Sequence, residues 1–202
     1  DPMLGSRYLR EVYAAAAPDY TGRVTVPVLW DRRGGGIVSN ESREIIRMLD
    51  HSFRGVAGRD DVDLCPADLA SQVDAALDAI YERFNNGVYR AGFATSQVAY
   101  DEAVDALFAA LEHWNGVLGA QRWVCGDRFT EADVCLFTTL VRFDAVYHTH
   151  FKCNIKQIMD FPALWGFVRD LYQTPGVAET VRLDHIREHY FASHETINPT
   201  RI

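Results

Sequence analysis

Arg23-Val-Thr-Val-Pro-Val-Leu-Trp30 is β-branched and apolar, Gly34-Gly-Gly36 follows it as a turn signal, and Ile37-Val38 is a second short apolar run. Two such runs joined by a glycine-rich turn read as a hairpin. Ser39-Asn40 then offers N-cap chemistry, and Ile45, Ile46, Met48, Leu49 and Phe53 fall on helical spacing until Gly55 stops the pattern. Strand, strand and helix therefore follow in order. A two-stranded hairpin is only marginally stable alone, so this α/β portion is expected to be incomplete at its N-terminus.

From Pro66 the period changes to 3.6, with Leu69, Val73, Ala76, Leu77, Ile80, Tyr81 and Phe84 on one apolar face. A second helix is predicted from Ser96, carrying Tyr100, Val104, Leu107, Phe108, Leu111 and Trp114 inward. Thr130 with Asp133 three residues on reads as a capping box opening a core helix to about Phe143. Pro162 starts another helix, ended by Thr174-Pro-Gly176, and Val177 to Tyr190 is a last helical stretch. The expected domains are 1–54, a polar linker over 55–64 that contains Arg59, Asp60, Asp61 and Asp63, and an all-helical domain over 65–202.

The 202 residues are 48% hydrophobic and 24% charged, a globular balance that excludes disordered, collagen-like and disulfide-scaffold classes. No apolar run is long enough to span a membrane, and Asp1 to Tyr13 has no signal-peptide pattern, so no membrane partner and a cytoplasmic location are expected. A formal net charge of −8, with no basic cluster longer than Arg32-Arg33, argues against nucleic acid. Cys65, Cys125, Cys135 and Cys153 are widely spaced and read as reduced, buried small hydrophobes. His185 with His189, and His148 with His150, have helical or near-neighbour spacing but no accompanying Cys/His cluster or H-E-x-x-H, so no metal is expected.

Val24-Thr-Val-Pro-Val-Leu-Trp-Asp31 and Asn40-Glu-Ser-Arg-Glu-Ile-Ile-Arg-Met48 resemble the glutathione transferases. Asn86-Gly-Val-Tyr-Arg-Ala-Gly-Phe93, Arg128-Phe-Thr-Glu-Ala-Asp-Val134, His150-Phe-Lys-Cys-Asn154, Pro162-Ala-Leu-Trp165, Arg169-Asp-Leu-Tyr-Gln173, Pro175-Gly-Val-Ala-Glu-Thr180 and the terminal His185 to Pro199 stretch narrow the resemblance to the glutathionyl-hydroquinone reductases, the Xi class. The resemblance runs from about Tyr8 to Pro199. It implies an α+β protein: a partial thioredoxin-like domain, its third and fourth strands plus a helix, followed by an all-α glutathione transferase C-terminal domain. It also implies glutathione as co-substrate, quinone-derived small-molecule substrates and a homodimer.

Residue by residue, the resemblance implies a cis bond at Val26–Pro27 that leaves the Val26 backbone to pair with the extended peptide of glutathione. Glu41 and Ser42 open a helix whose N-terminal amides favour the γ-glutamyl carboxylate, while Glu41 takes its ammonium. Tyr89, Tyr147 and Tyr190 are implied to line the electrophile pocket, where phenols supply flat walls and donors for a quinol's oxygens. From residue type alone these tyrosines read as packing residues with satisfied hydroxyls. Arg7, Arg10 and Arg23 are candidates for bringing positive charge to an anionic ligand.

The class uses a cysteine in a Cys-Pro-Trp-Ala-type motif, where a helix N-terminus lowers the thiol pKa. The 202 residues contain no such motif, so the catalytic residue is unknown and the chain is expected to lack that N-terminal segment. Two other readings stand beside glutathionyl-hydroquinone reduction. One is a non-catalytic, dimeric glutathione transferase-like binding module, and the other an Omega-like thioltransferase or dehydroascorbate reductase.

Overall fold

Apolar side chains recurring at helical spacing, punctuated by caps and prolines, make most of the protein helical. The computed structural model describes residues 1–56, 58 and 61–202. Of the expected linker, Ala57, Arg59 and Asp60 lie outside the described residues. Two compact units are formed, Asp1–Leu64 and Cys65–Ile202.

The first unit contains α1 (Leu9–Ala16), β1 (Leu29–Asp31), β2 (Gly36–Ser39) and α2 (Ser42–His51). β1 and β2 pair antiparallel, Trp30 opposite Ile37 and Asp31 opposite Gly36, with an irregularity between Leu29 and Trp30. The turn is held by the Asp31 carboxylate, which accepts the Arg33 N–H at 2.8 Å, and by Gly35 at φ +68°. The hairpin is shorter than its sequence pattern, because Arg23 to Val28 stays outside the ladder; Pro27 has no N–H to give it. Helix α1 was not legible. Its first turn is fixed by the Glu11 carboxylate, which accepts the Arg7 and Tyr8 N–H groups at 2.8 and 3.3 Å.

The second unit contains α3 (Ala70–Ile80), α4 (Gly87–Gly92), α5 (Gln97–Ala120), α6 (Glu131–Arg142), α7 (His148–His150), α8 (Pro162–Tyr172) and α9 (Leu183–Ser193). α5 starts where Ser96 Oγ accepts the Ala99 N–H at 3.2 Å, and its face of Val104, Leu107, Phe108, Leu111 and Trp114 is buried. The Asp133 carboxylate accepts Thr130 N–H at 2.8 Å, the Thr130 hydroxyl at 3.1 Å and the Val124 N–H at 2.8 Å. One buried side chain thus caps α6 and pins the preceding loop. Pro162 occupies the first turn of α8, where its missing N–H costs nothing.

The first expected helix ends in a π turn: α3 gives way to Tyr81–Asn85 before α4, and this wider turn buries Phe84 but leaves Tyr81, expected on the apolar face, 66% exposed. α6 ends at Arg142, as expected, and a second π turn, Phe143–Tyr147, follows it before α7. Val177 to Tyr190 is not one helix: a 3₁₀ turn at Ala178–Thr180 precedes α9. Among the described residues, no helix is long and apolar enough to cross a membrane.

Candidate functional site

In the first unit the sequence places Val26-Pro27 and Glu41-Ser42 on separate segments, and a buried tyrosine joins them. Tyr13, on α1, donates its hydroxyl to Thr25 O at 2.8 Å and accepts Thr25 N–H at 3.2 Å. Asn40 donates its side-chain amide to Tyr13 Oη and to Thr25 Oγ1, each at 3.0 Å. Thr25 precedes Val26 and Asn40 precedes Glu41, so this network holds the two candidate segments side by side. Val26–Pro27 is a cis peptide, and Val26 is 75% exposed.

Glu41 is the N-cap position of α2 and Ser42 its first residue, and the Glu41 side chain makes no cap hydrogen bond. This differs from the expected cap at Ser39-Asn40. The Asn40 amide is committed to Tyr13 and Thr25, while Ser39 Oγ donates to Glu44 at 2.8 Å and accepts Glu41 N–H at 3.1 Å. Arg7 and Arg10 lie against the Tyr8 ring, at 5.4 and 4.3 Å from its centroid, and the Arg23 carbonyl accepts the Tyr20 hydroxyl.

In the second unit the three tyrosines named from the sequence converge. Tyr190 Oη, on α9, lies 2.9 Å from Tyr147 Oη at the end of the π turn, and it also hydrogen-bonds Tyr89 Oη on α4. Tyr147 and Tyr190 are 2% and 5% exposed, whereas Tyr89 reaches the surface at 36%. Burial is the main cause that pushes the Tyr147 and Tyr190 phenols well above their ordinary range, so both are neutral hydrogen-bonding groups at physiological pH. Tyr89 stacks nearly parallel with the exposed ring of Phe93, centroids 6.5 Å apart at 10°.

Phe151, missed from the sequence, is the centre of this cluster. Its ring lies 5.4 Å from those of Tyr89 and Phe93, 5.6 Å from Tyr147 and 5.7 Å from Tyr190. Gly92 lets it in: a β-carbon there would stand 2.2 Å from Phe151 Cδ1. A glycine followed by an aromatic is a weak signal in sequence, and only the fold places Phe151 against it.

The histidines divide. His185 sits by Asp184 at 3.8 Å, while His150 is buried and paired with His194. Asp50, His51 and Asp63 gather near one another, and Arg54 ties the two acids at 3.6 and 2.9 Å. Cys65, Cys125 and Cys153 are buried and Cys135 half-buried. Burial pushes the Cys153 thiol up to about 12 and raises Cys125 as well, the opposite of what a reactive thiolate needs.

The family model described as "Glutathione S-transferase, N-terminal domain" matches residues 9–52, and "Glutathione S-transferase, C-terminal domain" matches 97–170. Among curated proteins, the chain is 53% identical over its full length to glutathionyl-hydroquinone reductase YqjG of Escherichia coli, covering 61% of that protein. The glutathione-bound structure of YqjG superposes with a TM-score of 0.96, over all of this chain and 66% of that one. A Xi-class transferase from Natrialba magadii is 58% identical with a TM-score of 0.97, over all of this chain and 62% of that one. Glutathione transferase Xi 1 from Trametes versicolor is 44% identical with a TM-score of 0.96, the match covering all of this chain and 70% of that one. The chain spans about three-fifths of the length of the first curated relatives, 61% and 64%. Two domain matches and full-length identity of this order have one meaning: the chain belongs to the glutathione S-transferase family, in its Xi class.

Proposed function

We propose that the protein reduces glutathionyl-hydroquinones to hydroquinones. A cysteine thiolate attacks the glutathionyl sulfur, the carbon–sulfur bond breaks, and the ring carbon takes a proton as the hydroquinone leaves. A second glutathione then resolves the mixed disulfide, releasing glutathione disulfide and regenerating the thiol. The observation that carries this reading is the meeting of three phenol hydroxyls, Tyr89, Tyr147 and Tyr190, in one aromatic cluster. Burial keeps the Tyr147 and Tyr190 phenols neutral, which suits them to hydrogen-bonding a quinol's oxygens, and the Tyr89–Phe93 pair offers flat apolar surface.

Glutathione recognition falls to the first unit. The Val26 backbone ahead of Pro27 takes the cysteinyl backbone, Glu41 takes the γ-glutamyl ammonium, and the first amides of α2 with Ser42 take its carboxylate. The glutathione-bound state of the similar YqjG supports this assignment. The nucleophile belongs to a Cys-Pro-Trp-Ala-type motif that the 202 residues do not contain; of the cysteines they do contain, burial argues against Cys65, Cys125 and Cys153. The same reading takes the protein as a cytoplasmic homodimer without a metal, a membrane partner or nucleic acid; the net charge of −8 supports the last point.

The 44% identity to an omega-like transferase of Schizosaccharomyces pombe makes dehydroascorbate the informative competitor. Turnover of a glutathionyl-hydroquinone is expected to exceed that of dehydroascorbate by at least about tenfold in kcat/KM, the discrimination of one well-used hydrogen-bonded contact. Equal or faster dehydroascorbate reduction overturns the assignment.

A further inference from the structure

The tyrosine cluster is tied by a second link that the pocket reading does not use. Tyr147 ends the π turn Phe143–Tyr147 and His150 ends α7 immediately after it; Tyr190 lies in the last turns of α9 and His194 just past its end. Residues three or four apart share one helix face. The same two elements therefore meet twice, with Tyr147 Oη 2.9 Å from Tyr190 Oη and His150 Nε2 3.1 Å from His194 Nδ1. The two imidazoles stack with centroids 5.3 Å apart at 27°, and His194 also stacks on Phe151 at 5.8 Å and meets Phe93 edge-on. The chain beyond His194 forms no further helix among the described residues, only turns in which Ile197 and Asn198 N–H groups return to His194 O. The imidazole pair is thus a side-chain tie at the end of the helix that carries Tyr190.

We propose that His150 and His194 are positioning residues, whose imidazole–imidazole hydrogen bond fixes the last turn of α9 and, through it, the Tyr190 hydroxyl against Tyr147 and Tyr89. The catalytic consequence rests on the tyrosines being the hydroquinone pocket; the tie itself does not. The bond needs one N–H facing one lone pair, which a neutral pair supplies. Burial first, and then a neighbouring histidine, hold both imidazoles below the usual histidine range, which favours that neutral state. The titratable or charged groups around Tyr190 are Tyr89, Tyr147, His150, His189, His194 and Arg142.

A rapid jump to alkaline pH, followed by ultraviolet phenolate absorbance, tests the tie without substrate or glutathione. Exposed phenols ionise at once, whereas the buried Tyr147 and Tyr190 wait for local opening, and a Tyr13→Phe background removes the buried phenol of the first unit from the signal. His194→Phe keeps a packed ring and removes the hydrogen bond; His194→Asn keeps a polar atom near the Nδ1 position. The slow phase is expected to accelerate about tenfold in His194→Phe, the weight of one hydrogen bond, and to stay within about twofold of the parent in His194→Asn. His194→Leu is the second apolar probe should the phenylalanine not fold, and His150→Gln, polar near the Nε2 position, is expected to behave as His194→Asn. An unchanged slow phase in the apolar variants, or equal acceleration in His194→Asn, overturns the proposal. Acceleration in His194→Phe with an unchanged KM for a glutathionyl-hydroquinone leaves the tie standing and overturns the pocket reading instead.

Discussion

Asp133→Ala is expected to destabilise the helical unit by about 3–5 kcal/mol, because three donors lose the two oxygens of one carboxylate and each buried donor left unpaired costs about 1–3 kcal/mol. Those donors are the Thr130 N–H, the Thr130 hydroxyl and the Val124 N–H, all within 3.1 Å of a fully buried carboxylate. Thermal unfolding is the check, with Tm falling by about 10 °C or more. Asp133→Asn keeps one acceptor and is expected to lose less than half as much. The carboxyl is not a source of acid lability. Desolvation raises its pKa above the unfolded value despite the bonds it accepts, so the folded state binds more protons between the two values, and the group's contribution falls as pH rises through that window.

Gly92→Ala is the second large effect, and it acts on the site rather than on the scaffold alone. The added β-carbon would stand 2.2, 2.3 and 2.8 Å from Phe151 Cδ1, Cγ and Cβ, and Phe151 is buried with aromatic rings on several sides. Such overpacking costs about 1–3 kcal/mol. The phenylalanine moves at the expense of the rings around it, Tyr89, Tyr147 and Tyr190 among them, so kcat/KM for the hydroquinone conjugate is expected to fall by about 10-fold or more, as for other small misplacements of positioning groups. Near-ultraviolet circular dichroism and steady-state kinetics read the two effects separately. A variant with native spectrum and native kinetics would show that the aromatic cluster tolerates rearrangement and is not the pocket.

Local chemistry explains which parts were legible. Thr130 and Asp133 act within one turn, Ser96 caps α5 next to its own apolar stripe, and Pro162 starts α8 for a reason internal to proline. Each signal needs only its neighbours in the chain. Helix α1 was hidden because its one buried residue, Tyr13, is placed by Thr25 and Asn40, far along the sequence. The same competition moved the start of α2, since Asn40, a good cap by residue type, spends its amide on a tertiary contact. The π turn at Tyr81–Asn85 widens the end of the first helix, so the 3.6-residue period that marks Phe84 as buried misplaces Tyr81, which is exposed.

The candidate site divides along the same line. Val26, Pro27, Glu41 and Ser42 sit in short motifs whose residues suffice to name them. Tyr89, Tyr147 and Tyr190 span about half the chain, and only resemblance singled them out from other tyrosines that pack. Phe151, His150 and His194 fall inside blocks of the resemblance, but nothing there pairs them or gives them a role: His150 reads as one half of a His-x-His, yet its partner is His194, reached through the fold. Side chains that organise a site from behind are defined by tertiary distance, which neither period nor spacing encodes.

The account stands most directly on the product balance when the protein is given a glutathionyl-hydroquinone and excess glutathione. Free hydroquinone and glutathione disulfide appearing together, one for one, is the predicted result, because each conjugate reduced consumes one glutathione and releases both glutathionyl sulfurs as disulfide. Net formation of the conjugate from quinone and glutathione, with no disulfide produced, would contradict it.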